Sequence, residues 1–251
     1  MSVAAYLELK DISVAFGAFK AVISVSFGVG KGERRAVIGP NGAGKTTLFN
    51  AIAGAVPITA GRILLDGRDI TPMRSDQRAA AGISRTFQIT NLFRTLTVEE
   101  NILVALNGVT SRKFSLFGSE RSRANEVQRL DALLQQNGLT ARRSTVVETL
   151  SYGEQRQLEL AVAIASSPKV LLLDEPAAGL SPAERVRIAA LIKALPRDLT
   201  IILIEHDMDL ALGLADSVTC LHFGEVLCHG DPAAIRSDVR VREIYLGRRH
   251  A

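Results

Sequence analysis

The first stretch of the chain alternates. Leu7, Leu9 and Ile12 are spaced by polar residues, and Val22, Val25 and Phe27 follow after Gly17. Period-two patterning on both sides of a turn predicts an antiparallel strand pair. Arg35-Ala36-Val37-Ile38 reads as a short strand entering a glycine-rich turn, and 45–53 has helical character. Residues 61–66 read as another strand, closed by Asp66-Gly67. From about residue 73 to 148 the apolar period lengthens to three or four. Thr97 stands at a helix cap, with Glu100 at the capping-box position. Val127, Leu130, Leu133 and Leu134 line one helix over 122–137, with Gly138 as its stop. Residues 108–118 carry no pattern and read as a surface loop.

From residue 151 the α/β rhythm returns. Residues 153–166 are helical. Val170-Leu171-Leu172-Leu173 is an unbroken apolar run, as expected for a strand buried on both faces of a parallel sheet. Residues 182–195 form a helix with Ser181 as cap and Pro182 in first position, and 200–204 is a second buried strand. Residues 218–221 and 226–228 form a hairpin turning at Gly224, and 238–246 is a short helix stopped by Gly247. No internal repeat is visible. The pattern predicts one domain over 1–251. Its α/β core is drawn from 1–88 and 151–251, with a helical lobe inserted over 89–150.

Composition narrows the classes. The chain has 251 residues, 47% apolar and 5% aromatic, which excludes disorder. Two cysteines cannot make a disulfide framework, and Cys220 and Cys228 read as small core hydrophobes. The net charge of +4 describes a mixed, solvated surface. Arg112, Lys113, Arg121, Arg123, Arg129, Arg142 and Arg143 are the densest basic stretch. Glu120, Glu126 and Asp131 interrupt it and aromatics are sparse, so no nucleic-acid partner is expected. The start shows no signal-like segment, and the most apolar runs, 158–165 and 170–173, fall far short of the ~20 residues that cross a bilayer. Any membrane contact is expected to come through partners.

Three motifs carry chemistry. Gly39-Pro40-Asn41-Gly42-Ala43-Gly44-Lys45-Thr46 fits G-x-x-x-x-G-K-[ST] between a strand and a helix. Such a loop turns backbone amides toward anionic oxygens, and the helix adds its positive end. Lys45 would reach the β- and γ-phosphates, and the Thr46 hydroxyl would ligate Mg²⁺. Second, the 170–173 strand ends in Asp174-Glu175. Asp174 would hold Mg²⁺, and Glu175 would polarise the attacking water. Third, Leu150-Ser151-Tyr152-Gly153-Glu154-Gln155 opens a helix just before that strand. Ser151 would offer a hydroxyl, and Gly153 would let backbone approach a γ-phosphate. Taken alone, Ser151 would be an ordinary cap.

The third motif resembles the Leu-Ser-Gly-Gly-Gln signature of ATP-binding cassette (ABC) proteins, and the whole chain resembles one ABC nucleotide-binding subunit. The resemblance implies a P-loop NTPase cassette with a mixed-sheet core, an N-terminal antiparallel β subdomain and an inserted α-helical lobe. ATP and Mg²⁺ are the implied ligands. Gly39, Pro40, Asn41, Gly42, Ala43, Gly44, Lys45, Thr46 and Thr47 match the phosphate loop, and Ser151, Gly153 and Glu154 match the signature. Phe16 matches the adenine-stacking aromatic. Gln88 matches the glutamine that senses γ-phosphate and reaches the metal. His206 matches the switch histidine. Singly, Phe16, Gln88 and His206 would be ordinary core or surface residues; their order relative to the motifs singles them out.

Arg85-Thr86-Phe87-Gln88, Leu96-Thr97-Val98-Glu99-Glu100-Asn101, Pro176-Ala177-Ala178-Gly179-Leu180 and the ending Tyr245-Leu246-Gly247 resemble ATP subunits of branched-chain amino-acid importers. The insertion over about 107–130 is similar to the longer of their two ATPase types. Two departures stand out. Glu154 adds a carboxylate near the nucleotide, placed to face ribose hydroxyls. Leu180 is followed by Ser181 where the family's D-loop carries Asp. The implied partners are a second cassette, identical or paralogous, two integral-membrane permease subunits and, indirectly, a periplasmic or extracellular solute-binding protein. The implied location is peripheral, on the cytoplasmic face of the membrane. Two rival readings are a soluble ABC ATPase that regulates or remodels without a permease, and a P-loop kinase. The second would need neither the signature nor His206.

Overall fold

A computed structural model describes residues 5–86, 92–108 and 120–246. The expected glutamine at Gln88, most of the patternless 108–118 stretch and the stop at Gly247 lie outside the described residues.

The chain divides into two compact units. The first comprises 1–83, 169–175 and 195–251. It opens with β1 (Leu7–Phe16) and β2 (Phe19–Val29). They pair antiparallel with Leu7 opposite Val29 and Phe16 opposite Phe19, so the alternation of the sequence is a true hairpin. Then come β3 (Arg34–Ile38), α1 (Lys45–Ala53), β4 (Ala60–Leu65), β5 (Arg68–Asp69) and α2 (Ser75–Ala81). Strand β6 (Ile83–Arg85) spans the boundary between the units. The first unit continues with β7 (Val170–Asp174), β8 (Thr200–Ile204), α7 (Met208–Leu214), β9 (Ser217–His222), β10 (Glu225–Gly230), α8 (Pro232–Ser237) and α9 (Val239–Leu246). One sheet runs β2-β1-β4-β5; the other runs β10-β9-β3-β8-β7-β6.

The second sheet is mixed. β7 and β9 flank β8 and β3 in parallel, and β10 returns antiparallel on β9. Every residue of β7 and β8 is buried, which is why both read as unbroken apolar runs. The register has a functional consequence. Val37 of β3 and Asp174 of β7 both face Ile204 of β8. The carboxyl ends of three strands therefore reach the same level, the edge where open α/β sheets bind ligands.

Helix α1 buries Leu48, Phe49, Ala51 and Ile52. Its end is fastened by Arg78, a buried cation on α2. Arg78 donates to Ala51 O at 2.5 Å, Ile52 O at 2.8 Å, Thr71 O at 2.9 Å and Met73 O at 3.0 Å. A guanidinium satisfying a helix's last carbonyls serves as a C-terminal cap.

The second unit comprises 84–168 and 176–194. It holds α3 (Val98–Gly108), α4 (Glu120–Gln136), α5 (Tyr152–Ala165) and α6 (Pro182–Ala194). Thr97 and Glu100 cap α3 reciprocally: the Thr97 N–H donates to Glu100 Oε2 at 2.7 Å, and the Glu100 N–H to Thr97 Oγ1 at 3.3 Å. Val98, Ile102, Leu130, Leu134, Leu158 and Ala161 form one apolar cluster. Sequence rhythm groups α5 with the α/β core. Here α5 lies in the second unit, because Leu158, Ala161 and Ala165 share that cluster with α3 and α4.

Three arginines of the basic stretch are engaged within the unit. Arg129 donates to Ala165 O at 2.9 Å, Arg142 pairs with Glu154, and Arg143 pairs with Glu99 and Asp131. Among the described residues no helix is long and apolar enough to cross a membrane.

Candidate active site

β3 delivers the chain, fully buried from Ala36 to Ile38, into the loop that begins at Gly39. Two glycines of the loop have no substitute. A Cβ on Gly39 would lie 2.2 Å from Leu221 O, and one on Gly44 would lie 2.4 Å from Ala21 O. Gly44 also has φ +95°, a left-handed backbone that favours glycine. Gly42, by contrast, faces open space at the mouth of the loop. Pro40 O accepts the Ala43 N–H at 3.2 Å, closing the turn around Asn41.

The N-terminus of α1 carries no capping side-chain bond and no acidic residue in its first turn. Its leading amides and helix dipole favour an anion. Lys45 is buried, and its Nζ donates to Gly39 O at 2.8 Å and Pro40 O at 3.0 Å. The ammonium is thus held inside the loop. Thr46 and Thr47 follow, half-buried.

Asp174 ends β7 with no exposed surface. Glu175 leaves the strand with φ +48°, a left-handed conformation that costs a non-glycine residue about 1–2 kcal/mol. Its N–H donates to Ile204 O at 3.0 Å, which offsets part of that cost. Two residues beyond Ile204, His206 Nε2 meets Glu175 Oε1 at 2.6 Å. The histidine side chain is 45% exposed and the glutamate 13%. Phe16 is 52% exposed at the end of β1. β2 borders the phosphate loop: Ile23 N–H donates to Gly224 O, and Gly224 N–H to Ala43 O.

In the second unit Ser151 caps α5. Its Oγ accepts the Glu154 N–H at 3.3 Å, and Glu154 Oε2 accepts the Ser151 N–H at 2.9 Å. Glu154 Oε1 also accepts from Arg142 Nε at 2.7 Å. Burial opposes ionisation of this carboxyl, but the Ser151 amide, Arg142 and the Ser151 hydroxyl outweigh it and hold its pKa below the usual range. Glu154 was expected to face a ribose; in this structure both its oxygens are occupied within the unit. Ser181 and Glu184 form a second reciprocal cap, Ser181 N–H and Oγ–H both donating to Glu184 Oε2. A Cβ on Gly153 would meet Glu184 Oε1 at 2.3 Å, so the signature loop rests against that cap.

The first unit therefore places the 39–47 loop, Asp174, Glu175 and His206 on one sheet edge, with Phe16 on the bordering hairpin. The second unit holds Ser151, Gly153 and Glu154 together. The contacts made by Arg142, Glu184 and Tyr245 are not among those the three motifs point to. Glu184 stands three residues after Ser181, at capping-box spacing, whereas Arg142 and Tyr245 act through tertiary contacts.

The sequence model described as ABC transporter matches residues 22–178, and one for the branched-chain amino acid ATP-binding cassette transporter matches residues 225–251. The high-affinity branched-chain amino acid transport ATP-binding protein BraF of Pseudomonas aeruginosa is 38% identical over 248 residues, covering 96% of this chain and 97% of that protein. LivG of Salmonella typhimurium, of the same description, is also 38% identical with the same coverage. The ADP conformation of an ATP-binding cassette of an ABC transporter superposes with a TM-score of 0.82 at 29% identity, covering 96% of this chain and 98% of that one. The family match spans most of the chain and the similarity to these relatives runs nearly end to end: the chain belongs to the ABC transporter family, as one of its ATP-hydrolysing cassettes in the branched-chain amino-acid transport branch.

Proposed function

We propose that this chain is the ATP-hydrolysing subunit of an importer for branched-chain amino acids or related small polar solutes. The observation that carries the reading is the shared register at Ile204, which levels Gly39, Glu175 and His206 on one sheet edge. The amides of 39–47 and the α1 N-terminus bind the phosphates, and Lys45 neutralises them. Phe16 stacks on the adenine. Glu175 takes the proton of the attacking water, and His206 holds the glutamate in place while reaching toward the γ-phosphate. The Thr46 hydroxyl and the Asp174 carboxylate are hard oxygen donors of the kind Mg²⁺ accepts, with Gln88 as a third. Mg²⁺ bound there would neutralise phosphate charge.

Two such cassettes face each other head to tail, with Ser151 and Gly153 of one completing the phosphate site of the other and Glu154 capping the helix that presents them. ATP then favours the closed pair, and loss of phosphate releases it, a population shift that drives two permease subunits. A solute-binding protein delivers the cargo from the far side. The chain sits peripherally on the cytoplasmic face of the membrane.

The test is co-purification with transport. Tagged chain from detergent-solubilised membranes of its host should bring down two integral membrane proteins and a second cassette. Deletion of its gene should abolish uptake of labelled leucine. Recovery without any membrane protein and unimpaired uptake would contradict the importer reading and favour a soluble ATPase.

A further inference from the structure

The C-terminal segment takes no part in the reading above, yet one of its side chains reaches the phosphate loop. The Gly39 N–H donates to Tyr245 Oη at 2.7 Å. The same glycine's carbonyl accepts from Lys45 Nζ at 2.8 Å. Gly39 also cannot retreat, because Leu221 O lies where its Cβ would be. The residue is thus gripped at its amide by α9, at its carbonyl by the phosphate-binding lysine and at its Cα by β9.

Tyr245 is itself well supported. Val241 of α9 and Ile235 of α8 are buried. The Asp238 amide donates to Ala234 O and Ile235 O, and the Asp238 carboxylate accepts the Arg240 N–H at 2.9 Å. These contacts fix the start of α9, and two turns later the helix presents the phenol. A phenol also suits the place. It accepts a hydrogen bond while remaining neutral at physiological pH, whereas a carboxylate would set a negative charge beside a site for anions.

We propose that Tyr245 is a positioning residue for the phosphate loop, through which the C-terminal segment sets ATP affinity. The inference rests on the reading of 39–47 as the ATP site. Without the phenol oxygen the Gly39 amide loses its acceptor. The orientation that holds Lys45 at the adjoining carbonyl is then no longer enforced.

The experiment compares wild type with Tyr245→Phe, which keeps the ring and removes the hydroxyl. ATP affinity is measured by calorimetry, and hydrogen–deuterium exchange of amides 39–45 is followed in the nucleotide-free chain. The expected result is about a tenfold loss of affinity, the size of one orphaned hydrogen-bonding group, with faster exchange at Gly39. The unfolding temperature of the same samples separates this from general loosening. A role confined to stability would lower that temperature and leave ATP affinity at the wild-type value, which overturns the proposal. If wild type itself binds no ATP, the parent reading falls and this one with it. If wild type binds and Tyr245→Phe binds equally well, only the role of Tyr245 falls.

Discussion

His206 Nε2 lies 2.6 Å from Glu175 Oε1. The contact joins the ends of two parallel strands, because Asp174 and Ile204 are register partners. It orients a carboxylate that already sits in a costly left-handed backbone. Removing the imidazole leaves Glu175 present but unaimed. His206→Ala should lower the rate of ATP hydrolysis by about 100-fold or more, the usual range for loss of a proton-transfer arrangement. ATP affinity should be retained. Steady-state phosphate release with a parallel binding isotherm checks both. An equal loss in the two would place His206 in binding instead.

Lys45 Nζ donates to two loop carbonyls, Gly39 O and Pro40 O. Lys45→Ala should weaken ATP binding by about 100-fold or more, as expected for lost charge-assisted hydrogen bonds. Equilibrium binding of a fluorescent ATP analogue measures it. Unchanged affinity would remove the 39–47 loop from the phosphate site.

Glu154 caps α5 and pairs with Arg142. Glu154→Ala should cost about 1 kcal/mol at pH 7, the typical worth of a cap. The pH dependence has a definite sign. The carboxyl titrates below its unfolded value of roughly 4.3. Its contribution is therefore present above that pH and lost as pH falls through the folded pKa. Denaturant titrations of wild type and variant should differ at pH 7 and draw together as pH falls through the acid range. A constant difference across that range would contradict the assignment.

The features that could be read from the chain are local ones. The phosphate loop announces itself by eight consecutive residues between a strand and a helix. β7 and β8 do so by unbroken apolar runs, and the α3 cap by Thr97 and Glu100. Short elements passed unseen. α2 and α7 have seven residues each, barely two turns of period, and α2 buries an arginine where pattern reading expects an apolar residue. The contacts that aim the chemistry were also invisible. Glu175 and His206 meet only because β7 and β8 are neighbours, and Tyr245 meets Gly39 across 206 positions. Ser181 shows the opposite case. Its expected role as a helix cap was readable, and the reciprocal bond to Glu184 bears it out.

Cys220 and Cys228 face each other across β9 and β10 as free thiols. Burial pushes the Cys220 thiol up to about 12 and raises Cys228 as well. The thiolate is the reactive form, so at pH 8 both should label slowly in the native chain and rapidly in denaturant. Reaction with a chromogenic disulfide reagent reads this directly. Prompt native labelling of Cys220 would contradict its burial.

We propose that Glu175 drives hydrolysis of ATP held by the 39–47 loop. Glu175→Gln keeps the shape of the side chain and removes the base. Phosphate release and ATP binding are measured on the same preparation, with oligomeric state read by size exclusion in ATP. The expected result is retained ATP binding, hydrolysis reduced by about 100-fold or more, and a stable ATP-bound dimer. Wild-type phosphate release from Glu175→Gln would contradict it.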